Sequence, residues 1–326
     1  MTMKRLTVLP EDEDLRLDRA LERLLPDMGL RGRRRLCELG LALVNGRPAP
    51  ASRKMKAGDN VEVPDPSSTA SMKEENDAPR GLFPDDAPRL VARFPHLAAL
   101  YKPAAMHTET LAGKPGVSLQ ALLPSLLGAD ARLLNRLDFP TSGLTAAATD
   151  EEGERLYKDA QDNGRTEKRY LALLEGELSH ETVATQKLIL KNRTRVLVEL
   201  ADHPDARRHT RVLPLAVLDA AELIRKLKLR ERGWTGLPPD VVTLAGCSIL
   251  KGARHQIRAH CSALGYPLLG DRRYGARFTP GENDDEAFFL HHGRLTLPGL
   301  DAVATPVWLP LLEAGTANAA ERWLKR

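Results

Sequence analysis

Residues 133–144 read LLNRLDFPTSGL, and they place one carboxylate, Asp138, between Arg136 and a turn rich in hydroxyls and glycine. In an arbitrary chain, a lone aspartate beside an arginine most often forms a structural ion pair. A chemical role for Asp138 therefore depends on the side chains that the rest of the chain brings to this turn. Ser142 is not expected to be a nucleophile, because no Gly-x-Ser-x-Gly sequence surrounds it.

Two segments elsewhere carry side chains suited to a cleft around Asp138. Residues 253–265, ARHQIRAHCSALG, are predicted to form a helix that closes at its terminal glycine. Arg254 and Arg258 are four residues apart there, so both would point into one cleft. A predicted basic strand contains Tyr170. An arginine beside a buried carboxylate generally lowers the pKa of that carboxylate, which then serves as a nucleophile or a base.

The composition predicts a folded protein of about two domains. The 326 residues are 42% hydrophobic and 28% charged, which excludes a wholly disordered chain. No run approaches the roughly 18 apolar residues of a membrane span, and the acidic N-terminus does not resemble a secretory signal. We therefore expect a cytoplasmic protein. The three cysteines are widely separated and form no Cys-x-x-Cys pair, so we expect free thiols and no metal site.

Residues 15–63 carry eleven Lys or Arg against six Asp or Glu, an excess larger than the net charge of +4 of the whole chain. Leucines recur at helical spacing in residues 15–28, and RGRRRLCELG at 31–40 predicts a second helix. Short strands are expected on both sides of the turn Asn45-Gly46. Clustered guanidinium groups release counterions when they meet a phosphate backbone, although a solvated helix face has the same composition.

The remaining boundaries follow from composition. Residues 1–14 are expected to be an N-terminal tail, and 64–89, rich in Pro, Ser, Asp and Glu, a flexible linker. Residues 90–326 mix strand-like and helical stretches without the regular alternation of a doubly wound fold, which indicates the α+β class. Within them, residues 219–240 are a charged helical stretch and a break without an evident role.

The basic segment 15–63 resembles the RNA-binding domain named after small-subunit ribosomal protein S-four. The resemblance rests on the two predicted helices, the VNG turn at 44–46 and the ending KAGDNVEV at 56–63. It implies a small α/β RNA-binding domain whose helical face carries phosphate-binding basic residues. The matching positions are Arg31, Arg33, Arg34 and Arg35.

Five segments resemble, in order, the motifs of the RluA family of pseudouridine synthases. They are KPAAMHTE (102–109), LLNRLDFPTSGL (133–144), EKRYLALLEGEL (167–178), GARHQIRAHCSALGYPLLGDRRYG (252–275) and FLHHGRLTLP (289–298). The resemblance implies a pseudouridine synthase catalytic domain with a mixed, mostly antiparallel central sheet and flanking helices. It also implies isomerisation of a specific uridine in ribosomal or transfer RNA, without a cofactor or metal.

The roles known in the family fall on four positions. Asp138 matches the catalytic aspartate, and Arg258 matches the basic residue that pairs with it. Tyr170 matches the tyrosine that stacks on the flipped uracil, and Arg136 matches an arginine that fills the space left by the extruded base. The further candidate substrate-binding residues are Leu137 and Ile257, as apolar walls that exclude water, together with Arg254 and His255. For His255 and His260, structural hydrogen bonding is the simpler interpretation.

Two other functions remain open from the residues. An RNA-binding or ribosome-assembly factor with a drifted synthase module would fit two departures from the family motifs, Asn135 and Ala253. Ala105 is a third departure from those motifs. A glycoside hydrolase would need a second carboxylate in the cleft, and no motif segment offers an obvious one. A uridine must be flipped out of its stack to reach an aromatic platform, and single-stranded RNA presents such bases. RNA is therefore the expected partner of a monomeric protein that does not bind membranes.

Overall fold

The computed structural model describes residues 3–26, 28–38, 40–64, 83, 86–110, 118–191, 195–281 and 287–325. The described residues form two compact units, a small unit within residues 3–64 and a large unit made of those from 83 onward. Most of the predicted linker, residues 65–82 and 84–85, lies outside the described residues. No helix in the described ranges is long and apolar enough to cross a membrane.

The small unit is a four-stranded antiparallel sheet with two helices, in the strand order β1–β4–β2–β3. Its strands are β1 (Met3–Thr7), β2 (Leu43–Val44), β3 (Arg47–Pro48) and β4 (Asn60–Pro64), and its helices are α1 (Leu17–Ala20) and α2 (Leu30–Glu38). Helices and strands share one apolar core, which includes Leu17, Cys37 and Val61. The predicted turn at Asn45-Gly46 is confirmed, because both residues have positive φ, 52° and 77°, between the paired strands β2 and β3.

Two expectations for the small unit are wrong. Residues 3–7 are not a tail, since β1 pairs with β4 along its whole length. This strand is short and largely polar, so the sequence shows no clear apolar alternation there. The helix predicted over 15–28 ends at Ala20. Leu21 and Leu25 beyond it are nevertheless buried, because turns present them to the same core.

The large unit contains five helices and fourteen strands among its described residues. The helices are α3 (Leu119–Leu127), α4 (Glu151–Asp162), α5 (Ala220–Lys226), α6 (Gln256–Ala263) and α7 (Ala314–Lys325). The strands are β5 (Arg89–Arg93), β6 (Leu97–Lys102), β7 (Arg132–Leu133), β8 (Ser142–Ala148), β9 (Glu167–Glu175), β10 (Thr182–Ala184), β11 (Gln186–Leu190), β12 (Val196–Asp202), β13 (Thr210–Asp219), β14 (Thr235–Gly236), β15 (Val241–Ile249), β16 (Phe278–Thr279), β17 (Leu290–Leu297) and β18 (Leu300–Val303).

Ten of these strands form one central sheet, in the order β10–β13–β15–β9–β17–β8–β6–β5, with β18 on β17 and β7 on β8. Among the described pairs of this sheet, β17 and β8 are parallel and the others are antiparallel. The predicted α+β class with a mixed, mostly antiparallel sheet is therefore confirmed. The central strands β9 and β15 are apolar along most of their length because both of their faces are covered.

Residues 219–240, which had no evident role in the sequence, cover part of one face of the sheet. Asp219 caps α5 by accepting a hydrogen bond from the Glu222 amide at 2.7 Å. Leu223 of this helix and the following Trp234 are buried in one cluster with residues of β9, β15 and α7. On the other face, Ile257 of α6 packs against β9 and β15. The sheet is thus a rigid floor whose α6 side is available for a site.

Candidate active site

Five residues form a row across the middle of the large sheet. Lys102 lies opposite Gly143, Gly143 opposite His292, His292 opposite Tyr170, and Tyr170 opposite Cys247. Residues directly opposite each other on neighbouring strands point to the same face of a sheet. The row therefore brings residues of four of the sequence motifs onto one surface.

Asp138 lies on residues 134–141, which we call the aspartate loop. Immediately before the aspartate, Thr108 Oγ1 donates a hydrogen bond to the Leu137 carbonyl at 2.8 Å and accepts one from the Leu137 amide at 3.1 Å. At the start of the loop, Asn135 Oδ1 accepts from the Ala146 amide at 2.7 Å. Asn135 thus fastens the loop to β8 through an acceptor, which needs no charge.

Lys102 holds the loop immediately after the aspartate. Its fully buried ammonium donates to the carbonyls of Pro103, Met106 and Phe139 at 2.8, 2.9 and 3.3 Å. Burial lowers the pKa of Lys102 to about 7, and the charge of Asp138 acts in the opposite direction. Sequence reasoning did not select Lys102, whose only signal was its place in the first motif.

Arg258 places a positive charge beside Asp138. Its Nη1 donates to Asp138 Oδ2 at 2.9 Å, while Nε and Nη2 donate to Asp271 at 2.6 and 2.9 Å. The Arg258 side chain is 2% exposed and that of Asp138 is 26% exposed. Burial alone would lower the pKa of Arg258, but the hydrogen bonds and charges of Asp271 and Asp138 raise that pKa above its usual value. The contact predicted between Arg258 and Asp138 is present.

Asp271 is a site residue that sequence reasoning missed, although it lies within the motif segment 252–275. Its side chain is 1% exposed, and both of its oxygens accept hydrogen bonds from Arg258. It therefore orients the guanidinium toward Asp138. It is also the second carboxylate that a glycoside hydrolase would require, but its oxygens are bonded and buried and do not face a substrate. Thirteen residues separate it from Arg258, and no sequence periodicity links them.

His255 lies on the other side of the Asp138 carboxylate, with Nε2 3.8 Å from Oδ1, beyond hydrogen-bond distance. The Tyr274 hydroxyl accepts from the Val196 amide at 3.1 Å and lies 2.9 Å from His255 Nδ1. Burial lowers the pKa of His255 to about 4, against the opposing effect of Asp138, so the imidazole is neutral near pH 7. His260 is fully buried and bonds a threonine hydroxyl and a backbone carbonyl, as expected of a structural residue.

The expectation that Arg254 and Arg258 share a helix face is wrong. Helix α6 begins at Gln256, and His255 before it has a left-handed backbone with φ of 53°. Arg254 therefore precedes the helix, and its side chain is exposed. The sequence pattern starts the helix at residue 253, but the left-handed backbone at His255 delays its start to Gln256.

Arg136 pairs with a residue other than Asp138, although the two are only two positions apart in the stretch 133–144. Its side chain is 65% exposed and forms an ion pair with Glu109 at 2.7 Å, whereas Asp138 is paired with Arg258. Proximity in sequence did not decide the pairing, because the loop backbone points the two side chains differently. Arg136 remains exposed at the base of the loop that carries the aspartate.

Tyr170, Leu137 and Ile257 pack in one apolar cluster. Tyr170 is 7% exposed. Burial, reinforced by the charge of Asp138, raises the pKa of its phenol, which stays protonated at neutral pH. One face of the Tyr170 ring is stacked on His292, at 4.5 Å between ring centroids and 14° between planes.

The arginine cluster of the small unit differs in part from the expected phosphate-binding face. The Arg33 side chain is 5% exposed and forms an ion pair with Glu22 at 2.9 Å, so the expectation of a surface contact is wrong there. Arg34 is 47% exposed and bonds the buried Asp18 at 2.7 Å. Carboxylates of the preceding segment bind these guanidiniums, which a count of charges does not reveal. The other two side chains of the cluster lie outside the described part of the chain.

The chain matches known proteins over most of its length. The family model described as RNA pseudouridylate synthase matches residues 96–263. Ribosomal large subunit pseudouridine synthase D of Nitrosomonas europaea is 30% identical over 86% of this chain and 75% of its own. Ribosomal large subunit pseudouridine synthase C of Salmonella typhimurium is 27% identical over 89% of this chain and 86% of its own.

A solved structure shares the fold. The protein titled Human RNA Pseudouridylate Synthase Domain Containing 1 is 23% identical and superposes with a TM-score of 0.53, over 70% of this chain and 87% of its own. The family match spans the aspartate loop, the Tyr170 strand and helix α6, which are the elements that build the site. The chain therefore belongs to the RluA family of RNA pseudouridine synthases and is an isomerase.

Proposed function

We propose that this protein converts a specific uridine of RNA to pseudouridine, with Asp138 as the group that starts the reaction. The observation that carries the proposal is the pairing of an accessible carboxylate with a buried cation. Asp138 is 26% exposed, whereas Arg258, 2.9 Å away, is 2% exposed. The carboxylate can meet a substrate while its charge partner stays fixed beneath it.

The uridine must first leave its helix, which costs about a few kcal/mol of unstacking. In the cleft, Asp138 then initiates cleavage of the bond between C1′ of the ribose and N1 of uracil. The freed uracil rotates, a bond forms between C1′ and C5, the proton leaves C5, and N1 gains a proton. The product is an isomer of the substrate, so no oxidant or reductant is consumed.

The surrounding residues have two roles, which are to hold the Asp138 carboxylate in place and to exclude water. Arg258 orients the Asp138 carboxylate by donating a hydrogen bond to it, and Asp271 keeps Arg258 in place. Leu137 and Ile257 pack around Tyr170 and exclude water, which would otherwise bond to C1′ in place of C5 once the glycosidic bond is broken. The protonated Tyr170 phenol is available for the later proton transfer. Exposed Arg136 is proposed to fill the space that the flipped base leaves in the RNA.

Large-subunit ribosomal RNA is the proposed substrate, because the Salmonella and Nitrosomonas relatives are named for that subunit. Transfer RNA is the second class. In this proposal, the small unit, with β1 included, is an RNA-binding domain and the large unit is the catalytic domain. The positive excess of residues 15–63 supports an RNA contact there. We further propose that the protein acts as a monomer in the cytoplasm.

The test is release of tritium from large-subunit ribosomal RNA transcribed with uridine labelled at C5. Wild type should release tritium, and Asp138→Asn should reduce release to background. Asp130→Asn is the matched control, because it removes an exposed carboxylate eight residues earlier and should release tritium at the wild-type rate.

Equal release by wild type and Asp138→Asn would overturn the assignment of Asp138. Release by none of the three proteins, from ribosomal or transfer RNA, would favour the alternative of an RNA-binding or ribosome-assembly factor with a drifted synthase module. Asn135 does not by itself favour that alternative, since it makes a good hydrogen bond in the loop.

A further inference from the structure

His292 occupies the centre of the row across the sheet, between Gly143 and Tyr170. It is fully buried, and its ring lies nearly parallel to that of Tyr170, with centroids 4.5 Å apart. Stacked rings on adjacent strands restrict each other's rotation about the side-chain torsions. Nothing in the residue pattern around His292 pointed to this role.

The His292 ring is itself fixed to the strand that follows the aspartate loop. Its Nδ1 lies 2.5 Å from the Leu144 carbonyl, which can only accept, so Nδ1 carries the proton. Burial lowers the pKa of His292 to about 3, and the ring stays neutral. Strand β8 therefore holds His292, and His292 holds Tyr170, so the ring is aligned to the strand that continues from Asp138.

The other ring nitrogen of His292, Nε2, departs from the rule that buried polar atoms are hydrogen-bonded. Nε2 is buried and makes no hydrogen bond of normal geometry to any described residue. Leaving a buried polar atom unsatisfied costs about 1–3 kcal/mol. A leucine or phenylalanine would avoid that cost but would also lose the hydrogen bond from Nδ1 to the Leu144 carbonyl, so the two effects on stability largely offset each other. Such exceptions concentrate at functional sites.

We propose that His292 is a positioning residue for Tyr170, fixing the plane of the phenol ring so that the flipped base meets its opposite face. One ring face is already covered by His292, so the base would meet the opposite face or the ring edge. This inference rests on the proposed function of Tyr170 as the base platform. A displacement of about 1 Å in a reacting group can reduce a rate by up to a hundredfold, so control of this plane matters.

The test compares three variants, His292→Leu, His292→Phe and His292→Ala, by single-turnover tritium release from C5-labelled large-subunit ribosomal RNA. RNA affinity is measured separately by filter binding, and stability by urea unfolding. His292→Phe keeps a stacked ring and loses both nitrogens, whereas His292→Leu fills the space without a ring. We expect His292→Leu to be as stable as wild type but about tenfold slower at unchanged RNA affinity, since only the ring alignment is lost. His292→Phe should be slowed less than His292→Leu, because it keeps the stacked ring although it loses the hydrogen bond to the Leu144 carbonyl.

A purely structural role predicts a different order, in which rate follows stability and only His292→Ala is impaired. A stable His292→Leu variant with the wild-type rate would overturn the proposal, and so would a stable His292→Phe variant as slow as His292→Leu. Failure of the proposed function itself is recognised separately, because wild type would then release no tritium or Asp138→Asn would release as much as wild type.

Discussion

Gly143→Ala tests how closely the aspartate loop depends on the contact between β8 and β17. Gly143 has φ of +112°, and a Cβ at this position would overlap the backbone oxygen of His292 and lie 2.6 Å from its backbone nitrogen. Normal contacts are roughly 1 Å longer, so the two strands would have to separate at the centre of the row. A side chain could rotate away, but the obstacle here is backbone in the parallel pair of the sheet.

The magnitude follows from two contributions. A residue other than glycine at this φ costs about 1–3 kcal/mol. Forcing an extra methyl group into a packed region costs about another 1–3 kcal/mol. Gly128 separates the two contributions, because it has φ of +107° and a Cβ added there would meet no atom within 4 Å. Gly143→Ala should therefore lose about 2 kcal/mol more unfolding free energy than Gly128→Ala.

The assay is urea unfolding followed by tryptophan fluorescence. All three tryptophans, Trp234, Trp308 and Trp323, are buried in the large unit, so the signal reports that unit. A difference of about 2 kcal/mol corresponds to roughly 1 M in the urea midpoint between the two variants. Equal midpoints for Gly143→Ala and Gly128→Ala would refute the reasoning, because they would mean that the strands accept a methyl group at no cost. Tritium release by Gly143→Ala should also fall, since His292 and Tyr170 lie in the same row.

Three further predictions concern burial and backbone conformation. Burial lowers the pKa of His291 to about 4 and that of His292 to about 3, so below about pH 6.5 the unfolded chain binds protons that the folded chain does not. Unfolding free energy should fall by about 1–2 kcal/mol for each histidine between pH 6.5 and 5, and a flat profile of urea midpoints would contradict this. Asp271→Asn should lower the unfolding free energy by about 3 kcal/mol or more, because buried Arg258 loses one of its two carboxylates. A loss below about 1 kcal/mol would show that Asp271 does not stabilise the buried Arg258. Ala105 has φ of +58°, a left-handed conformation that glycine adopts without strain. Ala105→Gly should therefore raise the unfolding free energy by up to about 1 kcal/mol and leave tritium release unchanged. A lower unfolding free energy would mean that Ala105 is not strained.

The residue pattern predicted several elements of the large unit. The predicted basic strand around Tyr170 is β9, and the charged helical stretch that begins at residue 219 contains α5. The pairing of Arg258 with Asp138 followed from the motif resemblance and is present. These features depend on local periodicity or on motif chemistry, both of which are properties of the chain itself.

The neighbours of Asp138 depended on the tertiary structure. The sequence placed Arg136 two residues away, yet Arg136 pairs with Glu109, and Asp138 pairs with Arg258, 120 positions later. The sequence by itself determined which chemical groups the chain carries, the α+β class and the family. Only the tertiary structure decided that Asp271 fixes Arg258 and that His292 stacks on Tyr170. The physical reason is that strand register and loop hydrogen bonds set side-chain neighbours, and both arise from contacts between residues far apart in the chain.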